Sequence, residues 1–149
     1  THVVANAGLG LTYDKVNQAV RLLNEDNVAF EDRYAVASPQ GIEDLLATTQ
    51  ATSSDFTILN AIKTGMFPAG AIWMGFQWIM STRLAVAALV RSCIFFQKAA
   101  IGLAIEQDIK IEIDRRPDRL NALQVLASVS SGAVRIEEEG VVQVDILES

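Results

Sequence analysis

The stretch from Ile109 to Ile146 restricts the fold more than any other part of the chain, because its apolar side chains recur at every second position. Ile109, Ile111 and Ile113 are interleaved with Lys110, Glu112 and Asp114, a period of two that gives a strand one dry face and one wet face. A charged turn follows, Arg115-Arg116-Pro117-Asp118-Arg119, and then a long apolar run from Leu120 to Val134. After Ile136 and the acidic turn Glu137-Glu138-Glu139-Gly140, the residues Val142, Val144 and Ile146 flank Gln143 and Asp145. Strands joined by short turns predict a hairpin-rich, largely antiparallel sheet near the C-terminal end, with Ile111 toward a core and Glu112 toward water. Composition and periodicity lead to an α+β domain and stop short of a function.

A chain of 149 residues can bury about two-thirds of its unfolded surface, enough for a core without covalent staples. The single cysteine, Cys93, has no internal partner, and its neighbours Ile94, Phe95 and Phe96 predict an inert buried thiol. With 12 basic and 18 acidic residues the formal charge is -6, so the chain repels polyanions and sequence-specific nucleic-acid binding is not expected. Residues 64–82 carry no charge. Gly65, Pro68, Gly70 and Gly75 interrupt them, which predicts a loop entering a buried strand and no membrane span. The chain opens on Thr1 without a basic, signal-type segment, so we expect Thr1 to begin a fragment or a processed chain.

Taken in order, residues Thr1 to Gly10 are expected to enter the domain from upstream, with the sole histidine at position 2 on a frayed end. Gly8-Leu9-Gly10 fails as a dinucleotide loop, because Tyr13 stands where that motif needs glycine. Thr12 is placed to cap a helix whose inner face is Tyr13, Val16, Val20 and Leu23, with a stop at residues 24–27. Tyr34 to Ala37 reads as a strand, and Ser38-Pro39 opens a second helix with Ile42, Leu45 and Leu46 inward. After a polar loop from Thr48 to Ser54, Asp55 is expected to cap a third helix with Phe56, Leu59 and Ile62 on one side and Gly65 at its end. Met66 to Gly75 reads as a loop, and Phe76, Trp78 and Met80 as one side of a strand whose aromatics belong to the core. Leu84 to Val90 is an apolar run of ambiguous type. Cys93 to Phe96 and Ala99 to Ile105 are read as two short strands, with a domain boundary near Glu106 to Asp108.

Catalytic chemistry finds little to work with. A histidine-based triad cannot be built from a histidine at position 2. The acidic clusters Glu25-Asp26, Glu31-Asp32 and Glu137 to Glu139 each fall in a predicted turn, where solvated carboxylates are the ordinary state. No H-E-x-x-H, C-x-x-C, phosphate-loop or calcium-loop spacing occurs. Arg115, Arg116 and Arg119 form the densest cationic cluster, and Asp114 and Asp118 beside them predict a self-paired surface turn. No metal and no cofactor is expected.

Three segments carry a resemblance. They are Arg33-Tyr34-Ala35-Val36-Ala37-Ser38-Pro39 with Ile42 to Leu46, then Gly75-Phe76-Gln77-Trp78-Ile79-Met80-Ser81-Thr82-Arg83-Leu84, and then Ala100 to Ile105, Asp108 to Lys110, Ala133 to Glu139 and Val141 to Asp145. In this order they resemble the major capsid proteins of tailed bacteriophages and prophages, the coat fold typified by the Hong Kong phage.

The resemblance implies an α+β fold in two parts. Residues 1–105 would form an axial-type domain with helices on a mixed sheet, and residues 106–149 the C-terminal strands of a peripheral-type domain. It implies a structural virion protein without catalysis, whose partners are copies of itself in pentamers and hexamers. Such a protein resides in the virion, and in the host bacterial cytoplasm before assembly. The family's N-terminal arm, extended loop and spine helix have no counterpart in these residues, so the chain resembles the C-terminal half of a subunit. The loop between Thr48 and Gly75 would face a symmetry axis, with Asp55, Phe67, Pro68 and Gly70 as subunit contacts. The rival reading is a small α+β binding module with Phe67, Trp73, Phe76 and Trp78 around a ligand pocket.

Overall fold

The computed structural model describes residues 2–47 and 72–148. The elements, in order, are β1 (His2–Val4), α1 (Tyr13–Glu25), β2 (Arg33–Ala37), α2 (Pro39–Ala47), β3 (Ile72–Trp73), β4 (Phe76–Met80), β5 (Val86–Ala87), β6 (Val90–Gln97), β7 (Ile101–Arg116), β8 (Ala122–Arg135) and β9 (Val141–Leu147). They form two compact units, Thr1–Ala100 with Glu137–Ser149, and Ile101–Ile136. The expected third helix on Asp55 and the loop before it lie outside the described residues.

The first unit is built on a mixed sheet in the order β1-β9-β6-β2-β4-β3, with β5 folded back onto the start of β6. β1 runs parallel to β9 and β2 parallel to β4, while the remaining pairs are antiparallel. Period-two alternation sends Ala35, Ala37, Cys93, Phe95, Val142, Val144 and Ile146 into the core. Helix α1 covers β9 and β1, burying Val16, Ala19 and Leu23 and half-burying Tyr13 and Val20. Thr12 sits at the N-cap position, but its side chain makes no capping bond. At α2 the cap forms as the sequence predicts, with the Gly41 amide donating to Ser38 Oγ over 3.0 Å. Ile42 and Leu45 are buried, and the side chain of Leu46 lies outside the described residues. A Cβ on Gly41 would stand 2.9 Å from Ile146 Cδ1, so glycine lets the helix settle close onto β9.

Aromatic rings dominate the centre. Trp78, Ala35, Phe95 and Val142 lie opposite one another across β4, β2, β6 and β9. The Trp78 and Phe95 rings meet edge to face at 5.7 Å, and Phe76 meets Phe95 at 5.1 Å. Trp78 Nε1 donates to the Trp73 carbonyl over 3.1 Å, which satisfies the one polar atom the indole brings inside.

Several expectations change. Residues 72–73 form a strand paired to β4 where a loop was expected, closed by a tight turn at Met74 and Gly75, both at positive φ. Met80 is exposed at the end of β4. His2 lies in a strand and bonds Asp26 Oδ2 at 2.6 Å, so this end is tied down. Ala99 to Ile105 is no separate strand: Lys98–Ala100 make one 3-10 turn and Ile101 begins the 16-residue β7. The register shifts of β7 fall between Ile105 and Lys110, so Glu106 to Asp108 mark an irregularity within a strand and not a boundary between domains.

The largest correction concerns β9. An antiparallel C-terminal sheet containing Val142, Val144 and Ile146 was expected, with a division at residues 105 and 106. These residues instead lie inside the first unit's sheet, between β1 and β6. The chain leaves that unit after Ala100 and returns at Glu137, whose amide donates to the Ala100 carbonyl. A Cβ on Gly140 would come within 2.5 Å of the Ala100 Cβ, so the return path needs glycine.

The second unit is one antiparallel ribbon of β7 and β8. Its register sets Ile111 opposite Ala127 and Ile113 opposite Val125 on one face, and Glu112 opposite Leu126 on the other. The alternation is present but the dry face is not: Ile111 is 63% exposed, and Ile109, Ile113, Leu123, Val125 and Val129 are exposed beside it.

Phe95→Ala should therefore lower unfolding stability by about 3–5 kcal/mol, whereas Ile111→Ala in this chain should change it by about 0.5 kcal/mol or less. Equal losses in urea melts would show that the ribbon face is covered. Burial pushes the Cys93 thiol up from 9.0 to about 11. The native thiol should be inert to a disulfide reagent at pH 8 and titrate as one thiol per chain only after denaturation. Because the unfolded thiol ionises first, its contribution to stability is full below pH 9.0 and is lost as pH rises toward about 11. Rapid native labelling would contradict the burial.

Candidate subunit-contact site

The expected contact residues Asp55, Phe67, Pro68 and Gly70 lie outside the described residues. The aromatic pocket of the rival reading does not form from those that are described: Trp73, Phe76 and Trp78 are all buried in the core. No group of His, Cys, Asp and Glu side chains among the described residues could hold a metal ion. No described helix is long and apolar enough to cross a membrane.

Buried charges in the first unit serve as clamps. Lys15 Nζ donates to the carbonyls of Leu9, Gly10 and Asp145 at 2.7, 2.9 and 3.1 Å, tying the segment before α1 to β9. Burial lowers the Lys15 pKa, opposed by Cys93, Asp145 and Asp44. Arg33 donates to the carbonyls of Ala29 and Val28 and to Asn24 Oδ1. Its guanidinium also lies 4.7 Å from the centre of the exposed Phe30 ring. Burial lowers its pKa as well, and an arginine so placed stays charged. Glu148 closes the end of the sheet, accepting from Arg91 Nε at 2.6 Å and from Ser38 Oγ. In each case a charged group holds backbone or a neighbouring side chain in place. One surface cleft is polar, lined by Asp14, Asn17, Gln18 and Arg21 along α1, and another sets Phe30 and Ile72 beside Glu31, Asp32 and Gln77.

What stands out is apolar surface left in water. The ribbon exposes aliphatic residues on both strands, Leu103, Ile105, Ile109, Ile111 and Ile113 on β7 and Leu123, Val125 and Val129 on β8, with Ile113 directly opposite Val125. On β7 they form a row that runs from Leu103 to Ile113, about 33 Å at about 3.3 Å per residue. At the tip, Arg116 pairs with Asp118 at 2.7 Å as the sequence predicts. Leu120 follows in a left-handed conformation, φ +51°, fully exposed. The first unit has an exposed apolar tip of its own. Ala88 and Leu89 join β5 to β6, both at positive φ, and Leu89 is 65% exposed. A left-handed backbone costs a non-glycine residue about 1–2 kcal/mol.

Exposed apolar surfaces of this kind suit contact between proteins. A family model described as phage capsid protein matches residues 1–148. No curated protein sequence matches the chain. Among solved structures, the chain is similar to one from Mycobacterium phage Che8, at 17% identity and a TM-score of 0.76, over 96% of this chain and 52% of that one. It is similar to the capsid of cyanophage P-SCSP1u at 18% identity and a TM-score of 0.62, over 99% of this chain and 53% of that one. It is also similar to the SrpI encapsulin of Synechococcus elongatus PCC 7942 at 11% identity and a TM-score of 0.64, over 98% and 53%. The chain thus spans about half the length of the structures it matches, and at these identities the likeness is one of fold.

Proposed function

Because this chain belongs to the phage capsid protein family, we propose that it is a structural subunit, or a part of one, of a phage or prophage shell that associates with copies of itself and catalyses no reaction. The observation that carries this is the aliphatic row of the 101–136 ribbon. A two-stranded ribbon is at best marginal alone in water, and an exposed apolar stripe of that length marks a surface made to be covered. In a coat subunit the cover comes from the half of such a protein that lies outside these residues and from neighbouring subunits. The unit of residues 1–100 and 137–149 takes the axial-type role and the ribbon the peripheral-type role, with β9 returning to the axial part. Copies would meet as pentamers and hexamers in the virion, after synthesis in the host bacterial cytoplasm. The net charge of -6 gives the chain no general hold on nucleic acid.

Mass spectrometry of particles purified from cells that encode this chain tests the proposal. The sequence should be a stoichiometric component of the shell wall, present in many copies as a closed lattice built from small symmetric rings requires. A few copies per particle, or none, would overturn it. By itself the chain should form only small, concentration-dependent oligomers, because contacts well below about 1,000 Å² are weak. Closed shells from this chain alone, seen by negative-stain microscopy, would show that other segments hold the lattice.

A further inference from the structure

Leu84 to Val90 is a run of apolar residues without a charge, and the core does not absorb it. Residues 85–89 are exposed, Val86 by 54% and Leu89 by 65%. The run forms the β5–β6 hairpin at the end of the sheet remote from the Ala100 and Glu137 crossing, since β6 spans the distance between them. The Leu89 carbonyl accepts from the Glu148 amide at 2.8 Å and the Leu9 carbonyl from the Leu147 amide at 3.0 Å. Leu9, 55% exposed, therefore sits at the same end.

The turn itself does not ask for these residues. Ala87 pairs with Val90, leaving Ala88 and Leu89 as a two-residue loop with both φ positive, a geometry that Asn-Gly adopts without strain. An alanine and an exposed leucine hold it with strain in the backbone and apolar surface in water. Burial against a partner offsets both.

The charge distribution fits a second copy of this chain as that partner. Copies of -6 each repel on approach, and rotational symmetry sets each residue near the axis against itself. Only a charge-free tip can converge there. Of the flanking charges, Arg91 is paired with Glu148 at 2.6 Å, and Arg83 lies before the run. The five exposed aliphatic side chains, Ala85 to Leu89, are far too little surface for a stable two-body complex of about 1,600 Å². They suit a ring in which several such contacts close together. We propose that the Leu84–Val90 hairpin is a contact between copies of this chain about a rotation axis, an inference that rests on the shell reading and names a surface of its own.

The test is sedimentation of the purified chain over a concentration series, beside the double variant A88N/L89G and the single variant Leu89→Lys. Asn-Gly relaxes the turn, so the double variant should keep or raise the melting temperature while weakening association by about tenfold or more. Leu89→Lys keeps the strained backbone and adds like charge, so its association should be lost at low salt and partly restored at high salt. Association equal to wild type in both variants would overturn the proposal, as would a wild type that stays monomeric to about 1 mM. Should the double variant fail to fold, the salt response of Leu89→Lys decides alone. Particles that close normally with both substitutions would sink this contact and leave the shell assignment standing.

Discussion

Trp78 and Phe95 meet edge to face over Ala35, and the first unit depends on that contact. Two large rings can approach across an intervening strand only if the strand between them carries a small side chain at that level. Ala35 supplies it, and Phe76, Trp73 and Val142 then fill the flanks. The same row joins β4, β2, β6 and β9, elements far apart in the chain. Long-range pairing of this kind delays closure until the last strand is present, because residues 141–147 occupy an interior place in the sheet.

Apolar surface is used in two opposite ways. In the sheet with α1 and α2 it is removed from water, and the buried cations Lys15 and Arg33 spend their donors on carbonyls and on Asn24. In the ribbon, and at Leu89 and Leu120, it is displayed. A protein that acts alone has no reason to hold leucines at positive φ in solvent. The proposed shell supplies one, since contact with another copy would cover each display. The irregular register between Ile105 and Lys110 keeps the aliphatic residues of β7 on one side despite the extra residues there, so the row remains continuous.

Much of the fold is legible in particular residues. Val16 and Leu23 on one helical face, Ser38 before Pro39, and Phe76 and Trp78 two apart all report local rules that hold wherever the chain goes. The coat-like resemblance is legible in the same segments, chiefly Arg33 to Pro39 and Gly75 to Leu84. The contact surfaces are legible only as composition: Leu84 to Val90 reads as strand, loop or core with equal ease, and its chemistry looks identical in all three. The signal that could have singled it out is the absence of charge in a run that ends in an unfavourable turn pair, Ala88-Leu89.

Periodicity, caps and charge by themselves determined α1, α2, the strands β2, β4 and β9 and the self-paired Arg116 turn, because each follows from neighbours within a few residues. Two matters were decided only in three dimensions. Val142, Val144 and Ile146 join β1 and β6 and leave the adjacent hairpin, because alternation gives a strand a dry face without naming its partner. Ile109, Ile111 and Ile113 alternate as a buried strand should and are exposed. A side chain's spacing states which way it points; whether anything lies there depends on surfaces brought from elsewhere.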